Sequence, residues 1–324
     1  MKQRSWGRVL SIFIVIAVLG AVGVTTDVMA ETSKELRFMT GSPGGSWQAF
    51  GGVAKNLLEQ KMPGLTVSVL PGGSGNNIMG IELGKADIGL SNSFTSVNAK
   101  KGRQPFKKAV TKIRHLVTLW PQWYHLVVRA DSNINTVSDL KGKKLVTLKR
   151  GSAGEESTRD VLAAYGVDYK DLAQVNFQSS GAIAELMIDG HVDAGSSVGP
   201  VPASYFTHIA ESKPVRFVGI GEKIEALDKM NPGYIADKIP AGSYKGQDKD
   251  VPTVSTYVHM IVGSDMDPAV AYQLTKILVE NSDVIRGVGK GMQAVVPEKM
   301  VMNVGIEYHP GALKYFKEMG LLKK

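Results

Sequence analysis

Two stretches of small polar residues could do chemistry in this chain. Thr40-Gly41-Ser42-Pro43-Gly44-Gly45-Ser46-Trp47 follows a short strand, residues 35–39, and opens an apolar-periodic helix over residues 50–61. About a hundred residues later, a strand over 144–148 runs into Gly151-Ser152-Ala153-Gly154 and a helix over 155–165. A strand-to-helix turn of this kind aims unpaired backbone N–H groups at whatever lies beyond the strand end. Two such turns predict a two-jawed polar clamp, and that is binding rather than bond-breaking chemistry. Enzymatic alternatives lack their parts. Gly72-Gly73-Ser74-Gly75 has the wrong spacing for a nucleophile elbow, and no phosphate loop of the G-x-x-x-x-G-K-[ST] kind occurs. The six histidines, at 115, 125, 191, 208, 259 and 309, show no metal-ligand spacing. His125 and His259 read as packing residues in strands, and His191 and His208 as exposed. No cofactor is expected.

The elements that must position the two turns alternate strand and helix. Strands are predicted over 35–39, 65–70 and 86–90, with helices over 50–61 and 77–83, and Pro63-Gly64 stops the first helix. From Tyr124 a second unit gives strands over 124–129, 144–148, 175–178, 192–195 and 213–219, with helices over 155–165 and 182–189. This order implies an α/β protein with a mainly parallel sheet. Gly84-Lys85-Ala86-Asp87-Ile88-Gly89 is echoed by Gly190-His191-Val192-Asp193-Ala194-Gly195, as if one slot were filled in both units. A Gly/Pro/charge-rich loop, 240–252, precedes a strand over 254–263, a helix over 268–282 and a tail helix over 312–319. The late strand and helix are expected to return to the first unit, giving crossings near 120–125 and 250–257.

With 324 residues, 43% hydrophobic and 21% charged, the composition is that of a globular protein large enough for two cores. Residues 1–30 read as a signal peptide: Lys2, Arg4 and Arg8 lead an apolar run over 10–23, too short for a spanning helix, and Val28-Met29-Ala30 offers a cleavage site. Cleavage there removes three positive charges and one negative, so the formal charge of +8 falls to +6. No cysteine is present, which excludes a lipoprotein anchor, disulfides and thiolate metal sites. An exported chain without an aromatic-interleaved basic stripe is not expected to bind nucleic acid.

Several phrases in order resemble the TAXI family, the extracytoplasmic solute receptors of TRAP transporters. They are Thr40 to Ser46, Gly72-Gly73-Ser74-Gly75-Asn76-Asn77, Gly84 to Gly89, His125-Leu126-Val127-Val128-Arg129-Ala130-Asp131 with Asp139-Leu140-Lys141-Gly142-Lys143, Ile239-Pro240-Ala241-Gly242-Ser243-Tyr244-Lys245-Gly246-Gln247-Asp248 closed by Val251-Pro252-Thr253-Val254, and His309-Pro310-Gly311-Ala312. The resemblance implies a type II periplasmic-binding-protein fold, with two α/β lobes joined by a two-crossing hinge. Lobe I would comprise 31–124 plus 253–324 and lobe II 125–252. It implies a periplasmic receptor without catalytic activity that carries a small organic solute, an amino acid or small carboxylate, to a TRAP membrane permease driven by an ion gradient. The family often has Tyr where Trp47 stands and Thr where Gly154 stands; the second change removes a hydroxyl from one jaw. A ligand-sensing input protein for a membrane signalling partner is the alternative on the same fold.

Ligands of open α/β sheets bind beyond the carboxyl ends of the strands, which nominates the loops there. Gly44, Gly45, Ser46 and Trp47 follow the first strand, Gly73, Ser74 and Asn77 the second, and Asn92 the third. Ser152, Ala153, Gly154 and Ser157 form the second jaw, and Ser197, Gly199 and Pro200 follow the strand equivalent to the third. Gln122 or Trp123 would floor the cleft. Ordinary helix capping or turn formation is the competing role at each of these positions. Glu155 and Glu156 suit a helix start and are expected to face outward, away from any bound carboxylate.

Overall fold

The computed structural model describes residues 34–322; the expected signal peptide lies outside them. The first half runs β1 (Lys34–Met39), α1 (Ser46–Lys61), β2 (Leu65–Leu70), α2 (Ser74–Glu82), β3 (Ile88–Asn92), α3 (Ser93–Lys101) and the 17-residue β4 (Ile113–Arg129). The second runs β5 (Lys144–Leu148), α4 (Ala153–Ala164), β6 (Gln174–Gln178), α5 (Ser180–Ile188), β7 (Ala194–Gly199), α6 (Ser204–Ser212), β8 (Val215–Phe217), α7 (Ile224–Met230), β9 (Ile235–Ile239) and β10 (Val251–Gly263). The chain then closes with α8 (Pro268–Glu280), α9 (Ser282–Arg286), α10 (Pro297–Met300) and α11 (Pro310–Glu318).

Local physics explains the elements that frame the two turns. α1 buries Phe50, Ala54, Leu57 and Leu58, a stripe at helical spacing, and stops where Gly64 takes φ +78°. In α4 the buried side includes Thr158, Val161 and Leu162, and Gly166 at φ +68° follows its end. Phe50 packs against Phe38 and Trp120, the latter at 5.2 Å between ring centroids, in the core of one half. Tyr124, Leu145, Val161 and Val198 belong to the core of the other.

The strands form one path, β2-β1-β3-β10-β4-β7-β5-β6, with β8 on β4 and β9 on β10. Each half contributes a parallel triplet, β2-β1-β3 and β6-β5-β7. Between them β10 and β4 run antiparallel to every strand they pair with, so the sheet is mixed rather than mainly parallel. β4 pairs with β10 up to Trp123 and with β7 from Trp123 onward. β10 changes partner from β9 to β3 between Ser255 and Val258. These two strands are the crossings, and the fold is that of two α/β lobes on a two-crossing hinge.

The sequence echo has a structural counterpart. The carboxylate of Asp87, just before β3, accepts from Arg37 N at 2.8 Å, and Asp87 N donates to Arg37 O. Asp193, just before β7, accepts from Lys144 N at 2.8 Å and donates to Lys144 O. Each aspartate locks the third strand of its triplet to the first.

Other expectations need correction. β4 begins eleven residues before the expected strand start at Tyr124, because its first part is buried on both faces and shows no alternation. β3 and β7 end at Asn92 and Gly199, beyond the expected 90 and 195. Ser91-Asn92-Ser93 is not a turn: α3 starts directly at Ser93. α6, α7 and β9 were not anticipated.

Candidate functional site

Six helices begin on one cleft. The lining includes Gly45, Ser46 and Trp47 of the α1 start, Gly73 and Ser74 of α2, Asn92 before α3, Ser152, Ala153 and Gly154 of α4, Ser180 of α5, and Ala203, Ser204 and Tyr205 of α6. All six helices have nine residues or more, long enough for aligned peptide dipoles to leave partial positive charge at each start. Among the described residues the N–H groups of Ser46, Trp47, Ala153 and Gly154 make no hydrogen bond, as expected of a first helical turn. The cavity holds about 200 Å³. No Asp, Glu, Lys, Arg or His lines it.

The two jaws meet at the front. A Cβ on Gly75 would lie 3.3 Å from Gly151 O, and one on Gly73 3.8 Å from the same atom. The α2 start and the β5 exit therefore approach backbone to backbone, which glycine permits. Trp47 rests on Gly41, where any Cβ would fall 2.7 Å from the Trp47 Cβ, and it packs on the first core. Ser74 Oγ accepts from Asn92 N at 2.7 Å and bonds Ser91 Oγ at 3.1 Å, so it fixes the end of β3. At the floor Asn92 Nδ2 donates to Gln122 Oε1 at 3.0 Å.

Of the residues nominated from sequence, Gly44, Gly45, Ser46, Trp47, Gly73, Ser74, Asn92, Gln122, Ser152, Ala153, Gly154, Gly199 and Pro200 line the cleft. Four stand behind it. Asn77 is fully buried; its amide donates to Thr40 O and Leu90 O while its carbonyl accepts from Gly73 N, so it ties the ends of β1 and β3 to the α2 start. Ser157 donates back to Gly154 O, and Ser197 to Val198 O. Trp123 packs into a core of the second half instead of flooring the cleft. Residues not nominated complete the wall: Ser42, Leu148, Ser180, Val198, Ser204 and Tyr205 among them. Ser180 and Ser204 sit at helix starts that were read two residues late or not at all; for α5 the Ser179-Ser180 pair ahead of the apolar run was the available signal.

The missing hydroxyl at Gly154 has a steric reason. A Cβ there would meet Ser197 Oγ at 2.6 Å and Leu148 Cδ1 at 2.7 Å, so neighbours already fill that space. Gly154 O accepts from Thr147, Ser157 and Thr158, which anchors the α4 start from behind.

Glu155 and Glu156 do not face outward; each is 2% exposed. Glu155 pairs with Arg159 at 3.3 Å and accepts from the Tyr169 hydroxyl. Glu156 accepts from Thr95 Oγ1 at 2.6 Å and Asn98 Nδ2 at 2.8 Å, both on α3. Burial pushes the Glu156 carboxyl up to about 8, against the pull of those two donors. The histidines stay away from the cleft. His115 and His259 face each other at 3.1 Å between Nδ1 atoms, and His125 lies between Trp123 O and the Tyr244 hydroxyl. Burial holds His115 and His125 near 3 and His259 well below its ordinary value. His191 and His208 are exposed. No cluster of metal-ligating side chains occurs among the described residues, and no helix among them is long and apolar enough to cross a membrane.

This architecture is that of type II periplasmic binding proteins. Phosphonate-binding PhnD1 from Prochlorococcus marinus, solved with methylphosphonate, superposes with a TM-score of 0.56 at 12% identity, over 90% of this chain and 100% of that one. XAC2383 from Xanthomonas citri, bound to ATP, gives 0.54 at 14%, over 89% and 97%. A protein assigned to L-cystine ABC transport in Listeria monocytogenes gives 0.50 at 16%, over 82% and 98%. At such identities the likeness is one of fold. The chain belongs to the NMT1-like family, whose model matches residues 38–320.

Proposed function

We propose that this protein is an exported solute receptor that closes on a small organic anion and carries it to a membrane permease. One observation supports the reading above the others: six helix starts converge on one cleft that no Asp, Glu, Lys, Arg or His lines. Bare N–H groups and partial positive charge suit a carboxylate or another oxyanion, and uncharged walls can release it again. The residues that would hold it are Ser46, Trp47, Ser152, Ala153 and Gly154, with Ser74, Asn92 and Gln122 at the inner wall and floor. Closure would bring lobe I (31–124 plus 253–324) onto lobe II (125–252) about the partner changes in β4 and β10, and ligand shifts that balance by its preference for the closed form.

Export follows from the leader over 1–30, with cleavage near Ala30, and places the receptor in the periplasm. The phrases shared with TAXI receptors favour a TRAP permease. The Listeria protein of like fold belongs, by its description, to an ABC system, and favours an ATP-driven partner instead. Uptake into vesicles carrying the partner permease separates the two: loss with an ionophore supports TRAP, and dependence on internal ATP supports ABC.

The test of the receptor itself is a thermal-shift and small-angle scattering screen of the exported protein against small carboxylates, phosphonates and sulfonates. Bound ligand stabilises by mass action. At least one anion should raise the melting temperature and compact the particle; no shift with any anion would overturn the reading.

A further inference from the structure

Helix starts account for a negative head group and say nothing of what else the guest carries; the floor does. Asn92 occupies the position before α3 where an asparagine oxygen ordinarily accepts a first-turn N–H. It makes no such bond. Its amide is turned to Gln122 on β4 instead, 3.0 Å away, and leaves Asn92 Oδ1 fully buried without a partner among the described residues. Gln122 Nε2 makes no hydrogen bond among the described residues, and Gln122 is 5% exposed. Both residues line the cleft.

Two amides joined by one hydrogen bond keep one carbonyl and one NH₂ unspent. Turning both amides over exchanges which residue supplies which group, but the pair still offers one acceptor and one donor. A buried carbonyl with no partner is costly, and a group that donates and accepts at once would suit both ends of the pair. Hydroxyl and primary amide groups do both. An ammonium group only donates, and it would enter a cavity with no carboxylate to meet it and with six positive helix ends around it.

We propose that the guest is a small oxyanion whose remaining polar group is a neutral hydroxyl or primary amide seated on Asn92 and Gln122, rather than a zwitterionic amino acid. This rests on the proposed function and narrows it.

The experiment is calorimetric titration of the protein, purified from an exporting host, with matched sets of acids. One set is lactate, propionate and alanine; the other is γ-hydroxybutyrate, succinamate, butyrate and γ-aminobutyrate. In at least one set the hydroxyl or amide compound should bind at least about tenfold more tightly than the plain acid, and the ammonium compound no better than the plain acid. Equal affinity for the plain acids, or an ammonium compound that binds as well as the hydroxyl one, overturns the inference and leaves the anion reading standing. Absence of binding by every acid, with no anion active in the thermal screen, overturns both. Asn92→Asp supplies a second reading: it should weaken the hydroxyl compound about tenfold and raise affinity for the ammonium one. An unchanged ranking in a variant that melts like the parent overturns the proposal.

Discussion

The two jaws use one backbone device and dress it in opposite ways. At the first, α1 starts from Gly45, has no side-chain cap and carries no acid in its first turn. At the second, α4 is capped by Ser152, whose hydroxyl accepts from Glu155 N, and its first turn holds two carboxyls that are all but fully buried. The first jaw thus keeps its positive end bare. The second is moderated by Glu155, which is paired with Arg159, and by Glu156, whose charge depends on pH. The difference teaches that anchoring and tuning are divided between the lobes: under the proposed function one jaw would be a fixed anion hold and the other an adjustable one.

The largest expected effect comes from Glu156→Gln. The carboxyl stands near 8 in the native protein against an ordinary 4.5, so the native state keeps a proton that the unfolded chain gives up. Stability should therefore fall as pH rises from about 4.5 to 8, by up to about 1.4 kcal/mol per pH unit, with the whole penalty present above 8. The glutamine variant should flatten that slope in urea melts taken across the window. It should also remove a loss of anion affinity above pH 8, where an ionised Glu156 sets negative charge behind the second jaw. An unchanged slope would mean that the two jaws differ less than their carboxyls suggest.

Next in size is Gly154→Thr, which forces a Cβ to within 2.7 Å of Ser197 and Leu148. It should lower stability by about 1–3 kcal/mol in the same melts. Gly45→Ala at the first jaw, where the nearest atom is Ser42 O at 3.2 Å, should cost less. Equal losses would erase the contrast between a jaw backed by packed side chains and one that is not.

The smallest effect, and the most direct, is on binding. Ser46→Ala combined with Ser152→Ala should weaken the best anion by more than about tenfold in titration. Ser152→Ala alone should also lower stability by roughly 0.5–2 kcal/mol through the lost cap, and Ser46→Ala should not. Undiminished affinity in the double variant would move the anion elsewhere in the cleft.

Much of this was legible in the residues. Strand–helix alternation with the aspartate echo at Asp87 and Asp193 announced two like halves, and the glycine-serine turns announced the jaws. Helix starts were read late, at 50 for Ser46, at 77 for Ser74 and at 182 for Ser180, because Gly and Ser are poor helix formers and look like turn. That blurred the very residues that line the cleft. Asn77 looked like a ligand residue because its side chain is polar; only the fold reveals that four backbone groups from three segments spend it. Glu155 and Glu156 were read as facing outward to keep negative charge away from a bound carboxylate, and the donors that hold Glu156, Thr95 and Asn98, lie about sixty residues away in the chain. The first part of β4 escaped notice because it is buried on both faces and shows no alternation.

The six converging helices carry one more implication. Their like partial charges oppose one another across the cleft, less so at the second jaw, where Glu155 and Glu156 stand in the first turn of α4. Under the proposed function, a negative solute would act as the counter-ion that lets the lobes draw shut. A permease that grips only the shut shape would be spared futile encounters with unloaded copies.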